Sequence, residues 1–298
     1  MSKLRTNNTI SDNAKVASIS PIVKGNPLSI GAGFTALTFR EGKFERLMDP
    51  LVLVDHYKMT MSTFGEHPHA GLSAVSVLFE DSEGKFHNRD SLGNDVDILP
   101  GDLYWLKAGA GALHDEAPRA NSYIHGLQVF VNLPTEHKQD VPASKHVSAK
   151  DMPVIENNGA RVRIVLGESN NISGPTSPAL PMTILDGTIS HGAIFQHAIN
   201  AQENAWVYAV QSDIVVKTVD QSIPLKVGES IAISNQLSDA QQTIEISTIS
   251  TKKAHFVLFA AMPINEPFVQ KGPFIMSNEQ EIQQVEKKYA AGLFGRLD

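Results

Sequence analysis

Two stretches decide how this chain is read: Phe64–Leu78, FGEHPHAGLSAVSVL, and Ala112–Glu116, ALHDE. The first holds His67 and His69 with one residue between them, and the second holds His114 and Glu116 at the same spacing. In an extended strand, residues i and i+2 project from one face. Pro68 favours that geometry, because it pushes His67 toward extended backbone and cannot donate a ladder hydrogen bond. Each pair is then a two-toothed clamp. Side by side in one barrel, the two clamps bring three imidazoles and a carboxylate to one point.

One such pair means little. With 11 histidines in 298 residues, chance supplies about 0.4 H-x-H pairs per chain. The second pair, arriving after the Pro100-Gly101 turn and the bend at Gly109–Gly111, makes a metal site the expectation, with His67, His69, His114 and Glu116 as ligands. Alternation turns Asp115 away from His114, so it is expected to be solvated or ion-paired. Such a ligand set leaves one or two positions open on an octahedral ion. It suits Fe(II) and also Mn, Ni, Cu or Zn. An open position is what a substrate-chelating or oxygen-activating centre needs, and a carboxylate beside it can serve as general base.

The other histidines read differently. His56 and His87 lie in apolar-flanked strand sequence and are expected to be structural, while His125 stays open between core and pocket. His137 and His146 are expected at the surface, and Tyr104 and Trp105 in the core.

The totals bound the rest. A hydrophobic fraction of 42% and a charged fraction of 19% describe an ordinary globular chain long enough for one large or two medium domains. There is no cysteine, which excludes disulfides, thiolate metal sites and a cysteine nucleophile. A net charge of −7 argues against direct nucleic-acid binding. No apolar run approaches the roughly 20 residues of a membrane helix, and the polar N-terminus has no signal-type apolar core. A cytoplasmic protein is expected.

Along the chain, residues 1–20 read as a mobile arm able to add an edge strand to a neighbour. Short β-leaning runs with turn residues between them follow, as in FTALTFR, LVLVDHY, SAVSVLFE, DLYWLK and HGLQVFVNLP. Residues 134–160 are polar and Pro-containing and read as a linker, and 171–181 as a second loop. IPLKVGESIAIS then echoes DILPGDLYWLK, placing Gly228 and Gly101 127 residues apart (228 − 101). That weak repeat predicts an all-β chain of two barrel domains, 21–145 and 146–298. The second lacks the metal teeth, since His191 and His197 are not in H-x-H spacing. Ser277 with Gln280 forms a capping-box pattern for a terminal helix that carries Ile282, Val285 and Tyr289 on one stripe and ends at Gly292.

HPHAGLSAVSVL, HNRDSLGN, LPGDLYWLKAGAGALHDE, HGLQVFVNLP and GPFIMSNEQEIQQVEKKYAAGLFG together resemble the pirin family of the cupin superfamily. The resemblance implies two cupin-type β-barrels (double-stranded β-helix, jelly-roll), the first holding a metal, usually iron, at His67, His69, His114 and Glu116. It also implies one of two activities. The first is oxidative ring opening of quercetin-like flavonols. The second is iron- or redox-dependent assistance to transcriptional regulators through a protein partner. The chain departs from the family's H-P-H-R-G-F-E at Ala70, Leu72 and Ser73, and from H-S-E at Asp115.

Overall fold

The computed structural model describes residues 18–235 and 240–297. A large antiparallel sheet runs Ala143–Val147, Leu103–Lys107, Leu72–Leu78, Ile124–Asn132, Leu51–Met59, Phe34–Arg40, Asn26–Ile30 in spatial order. A four-stranded sheet of His67–His69, Ala112–Pro118, Phe86–Asp90 and Asp95–Ile98 faces it. Tyr57, Leu78, Phe86, Ile98, Ala112 and Ile124 fill the space between them and close the first barrel.

The second barrel repeats this plan strand for strand. Its large sheet runs Ser18–Ile19, Glu229–Ser234, Asn204–Gln211, Ala254–Ala261, Met182–Ile189, Ala160–Leu166, Val154–Asn157. Its facing sheet is Ile194–Ile199, Gln242–Ser247, Ile214–Lys217 and Ser222–Leu225. Gly101 and Gly228 begin equivalent strands at φ of +84° and +83°, a left-handed turn that favours glycine. The two large sheets pack back to back through Phe39, Val75, Trp105 and Val129 on one side and Trp206, Tyr208, Val257 and Phe259 on the other.

Residues 1–17 of the expected arm lie outside the described residues. Ser18–Ile19 and Val23–Lys24 pair with Glu229–Ser234, so residues 18–24 edge the second barrel. The expected linker also contributes two edge strands: Ala143–Val147 edges the first barrel and Val154–Asn157 the second. Edge strands are half-exposed and tolerate polar residues, which is why this stretch reads as linker. His137 and His146 are both exposed as expected, and His146 also reaches Asp102 at 2.8 Å.

Between the barrels, Arg163 is 1% exposed, pairs with Asp186, and donates from Nη1 to the Gly101 carbonyl at 2.7 Å. Burial would raise the Asp186 carboxyl, but His255 and Arg163 beside it overcome that and hold it well below the usual carboxylate range. Near it, His56 Nδ1 meets the Tyr208 hydroxyl at 2.6 Å and Nε2 meets His125 Nε2 at 2.7 Å, while His125 Nδ1 reaches Asp81 at 2.8 Å. His56 and His125 are therefore inter-barrel residues, as expected for His56, and the question over His125 closes on the side of structure.

The C-terminus returns to the first barrel. The hairpin Val269–Lys271 and Phe274–Met276 lies on it, with Ile275 N–H donating to the Ala70 carbonyl at 3.0 Å. Lys138, 1% exposed, donates to the carbonyls of Gly71 and Ile275 at 3.0 Å each and to Asn132 Oδ1 at 2.5 Å. The helix Glu279–Ala290 follows, burying Ile282 and Val285, and Gly292 ends it at φ +71°. Its cap lies one residue later than the Ser277 pattern predicts: Asn278 accepts from Glu281 N–H at 2.9 Å, and the Glu281 carboxylate answers with the Asn278 amide and Ser277 N–H. A carboxylate accepts these donors better than the neutral Gln280 amide.

Two outcomes test this packing. Asp186→Asn should cost about 3–5 kcal/mol near neutrality by leaving Arg163 uncompensated. The stability Asp186 contributes is present above its unfolded pKa of about 3.9 and is lost as pH falls below it, so urea unfolding of the two proteins should converge in acid. Gly71 has φ +72°, and a Cβ there would stand 1.9 Å from the Ile275 carbonyl oxygen. Gly71→Ala should lower stability by about 2 kcal/mol or more and expose the terminal hairpin to protease.

Candidate metal centre

The short strand His67–His69 pairs antiparallel with Ala112–Pro118, placing His67 opposite His114 and His69 opposite Ala112. The expected convergence follows. His114 Nε2 lies 2.9 Å from His67 Nε2 and 3.0 Å from His69 Nε2, and donor atoms of the three residues all fall within 4.8 Å of one another. Two nitrogens bound cis on an octahedral ion at about 2.1 Å would stand about 3.0 Å apart. The spacing suits a divalent metal.

The protonation state suits it as well. Burial lowers His69 to about 3, the charge of His67 adding to it and the Pro273 carbonyl opposing. His114 is held well below its usual range by burial, with His69 and His67 adding. Burial also lowers His67. All three rings are neutral at physiological pH, the form that can bind a metal. Nδ1 of His67 sits 2.8 Å from the Gly65 carbonyl and must carry its proton, which leaves the Nε2 lone pair facing the centre. His114 Nδ1 is buried with no hydrogen-bond partner, so nothing on that side competes for the ring.

Glu116, the fourth expected ligand, stands outside this group. It lies one pleat further along its strand, opposite Asn88, and its Oε1 is 2.6 Å from the Ser76 hydroxyl. Ser76 Oγ is also 2.9 Å from Gln128 Oε1. One hydroxyl proton cannot serve two acceptors; Ser76 donates to Glu116, and the Gln128 amide, turned end for end, donates from its NH₂ to Ser76. Burial raises the Glu116 carboxyl to about 7, the Ser76 hydroxyl opposing and the Asp115 charge adding. Asp115 points away and pairs with Arg89 at 2.9 Å, as alternation predicts.

A cavity of about 230 Å³ opens over the triad, lined by His67, His69 and Glu116, by Phe34, Phe64, Phe86 and Phe130, and by Gly272 and Pro273 of the C-terminal hairpin. Ala70, Leu72 and Ser73 do not line it. Ala70 packs on Phe274 under the terminal helix, Leu72 on Ile275, and Ser73 points out of the barrel by alternation with Ser76. The departures from the family pattern therefore fall outside the cavity wall. The expected core residues Tyr104 and Trp105 are buried, Tyr104 bonding Asp90, and His87 pairs with Asp95 at 2.7 Å.

Sequence reading missed Asp55, Tyr57, Ser76 and Gln128, all near or in this cavity. The available signal was Asp55 itself, a charge inside the apolar run LVLVDHYKM. Among the described residues the second barrel has no comparable group: His197 stands alone on the equivalent strand, and its partner strand Gln242–Ser247 carries no histidine.

The chain matches two family models, pirin over residues 35–131 and the pirin C-terminal cupin domain over residues 184–295. It is 30% identical to pirin of Rattus norvegicus over 80% of either chain, and 32% identical to pirin-like protein 2 of Arabidopsis thaliana over 84% of this chain and 77% of that one. A quercetin 2,3-dioxygenase from Acinetobacter baumannii superposes with a TM-score of 0.80 at 24% identity, covering 94% of this chain and 98% of its own. No helix among the described residues is long and apolar enough to cross a membrane. Two cupin barrels, a triad of neutral imidazoles in the first, and family models covering most of the sequence place this chain in the pirin family.

Proposed function

We propose that this chain is a metal-dependent dioxygenase that opens the ring of quercetin-like flavonols with O₂, using Fe(II) at His67, His69 and His114. The observation that carries this reading is the convergence of three neutral imidazoles beneath an aromatic-walled cavity that also holds a carboxyl titrating at about 7. The similarity to a quercetin 2,3-dioxygenase supports the substrate class. A cytoplasmic location and no direct nucleic-acid contact belong to the same reading.

A divalent metal at the triad would supply Lewis acidity toward an enol hydroxyl and the redox chemistry that O₂ requires. The chain's own residues do the rest. His67, His69 and His114 offer lone pairs held in place by strand pairing. Glu116 accepts the enol proton, passing hydrogen-bond polarity to Ser76 and Gln128, and a base near pKa 7 is well matched to that task. Phe34, Phe86 and Phe130 clasp a planar ring and exclude water.

A second reading is an iron- or redox-sensing protein that acts on a protein partner without turnover. It is favoured by one observation: Gly272 and Pro273 line the metal cavity from a hairpin whose residues Gln270 and Lys271 are exposed, so a change at the metal is one contact from the surface.

The wild-type protein should bind one divalent ion per chain, and His114→Ala should lose it; full stoichiometry in that variant would refute the ligand assignment. Iron-loaded protein should consume quercetin and O₂ and release CO, with chelator-treated protein inactive. Glu116→Gln should keep its metal and lose about 10²–10⁴-fold in kcat. Loss of metal in that variant would make Glu116 a ligand, and metal-loaded wild type without turnover would favour the sensor.

A further inference from the structure

The floor of the cavity carries polar groups whose hydrogen-bonding capacity the fold does not fill. Along the strand Leu51–Met59, alternate residues Leu53, Asp55, Tyr57 and Met59 face the cavity. The sheet register sets Asp55 opposite Thr38 on one side and Gln128 on the other, and Gln128 opposite Ser76. Directly opposed residues of antiparallel strands share a face. A polar row therefore crosses four strands of an otherwise apolar floor, and at Ser76 it meets Glu116.

Three groups of this floor have unmet hydrogen-bonding capacity: the Tyr57 hydroxyl, 2% exposed as a residue, Asp55 Oδ1 and Thr38 Oγ1. Burial raises the Asp55 carboxyl and Thr38 beside it opposes that rise, so Tyr57 is the group with no polar neighbour at all on the sheet. Buried polar atoms are nearly always satisfied, and leaving one without a partner is costly. The Tyr57 ring is fixed, stacked on Phe34 with centroids 5.8 Å apart and 14° between planes and packed against Phe86 at 6.3 Å. Its hydroxyl cannot turn elsewhere for a partner.

We propose that Asp55 and Tyr57 are specificity residues of this cavity and together read a phenolic hydroxyl on a planar, polyhydroxylated aromatic ligand. A phenol hydroxyl is one donor and one acceptor, and the pair supplies the complement: the Asp55 carboxyl accepts the hydroxyl proton's hydrogen bond and the Tyr57 hydroxyl donates to its oxygen. The phenylalanine walls take the ring faces. A ligand lacking that hydroxyl leaves both groups buried and unpartnered, which is how a site built to hydrogen-bond a hydroxyl rejects its deoxy analogue. The inference rests on the flavonol reading above and names the part of the substrate that these side chains select.

The test compares quercetin with 3-hydroxyflavone, which keeps the enol hydroxyl and lacks the other phenolic hydroxyls. Binding is measured by fluorescence quenching of metal-loaded protein without O₂, so that turnover plays no part, and metal content is measured alongside. Wild type should prefer quercetin by more than about tenfold. Tyr57→Phe and Asp55→Asn should each shrink that preference, and together bring it within about twofold at unchanged metal content. If Asp55→Asn does not fold, the isosteric Tyr57→Phe decides alone. Equal binding of both ligands by wild type, or a preference retained in Tyr57→Phe, would overturn this proposal alone. Failure of metal-loaded wild type to bind either ligand would overturn the flavonol reading and this proposal with it.

Discussion

The antiparallel pairing that sets His67 opposite His114 is the constraint on which the site depends. It brings the three Nε2 atoms together without any loop having to hold them, because strand pleat and register fix the imidazoles on one inner face. A slip of one residue would turn His67 and His69 outward and bring Pro68 in. Burial then keeps the rings neutral, which is the state a metal needs. Local geometry, protonation and ligand capacity thus share one cause.

The same first barrel is completed from far along the chain. Lys138 ties the Gly71 carbonyl, just after the H-P-H clamp, to the Ile275 carbonyl of the terminal hairpin. Burial lowers the Lys138 ammonium to about 8, with Glu266 and Glu281 opposing. Three oxygens around it explain why a lysine is kept there. The hairpin turn Gly272–Pro273 can roof the cavity only because this tie holds it, and Ala70 leaves room for Phe274 beneath the helix. The small residue at 70 belongs to this packing and not to the chemistry.

The two barrels show how one plan carries two roles. Their strand orders match, and their large sheets bury a shared aromatic layer. The first barrel spends its interior on a cavity with histidines, a carboxylate and a polar row. The second fills its interior with Ile164, Leu185, Phe195, Ile214, Ile231 and Phe256. Its part is to back the first barrel, brace it through Arg163 and Asp186, and receive the start of the chain as an edge strand.

How much could be read without the fold depended on the range of the interaction. Spacing by two on a strand is local, so the convergence of the three histidines and the direction of Asp115 were legible. The 127-residue echo around Gly101 and Gly228 made the duplication legible too. What pairs across strands was not. Glu116 meets Ser76 because the two share a barrel interior, although 40 residues separate them. Asp55, Gln128 and Ser76 form a row only through register, and an edge strand such as Ala143–Val147 carries no buried face strong enough to announce itself. The sequence by itself determined the barrel class, the duplication and the three histidines that converge, because these follow from periodicity and residue type. Only the tertiary structure decided the place of Glu116, the cavity floor and the C-terminal roof, because each depends on contacts between segments whose separation along the chain leaves no periodic trace.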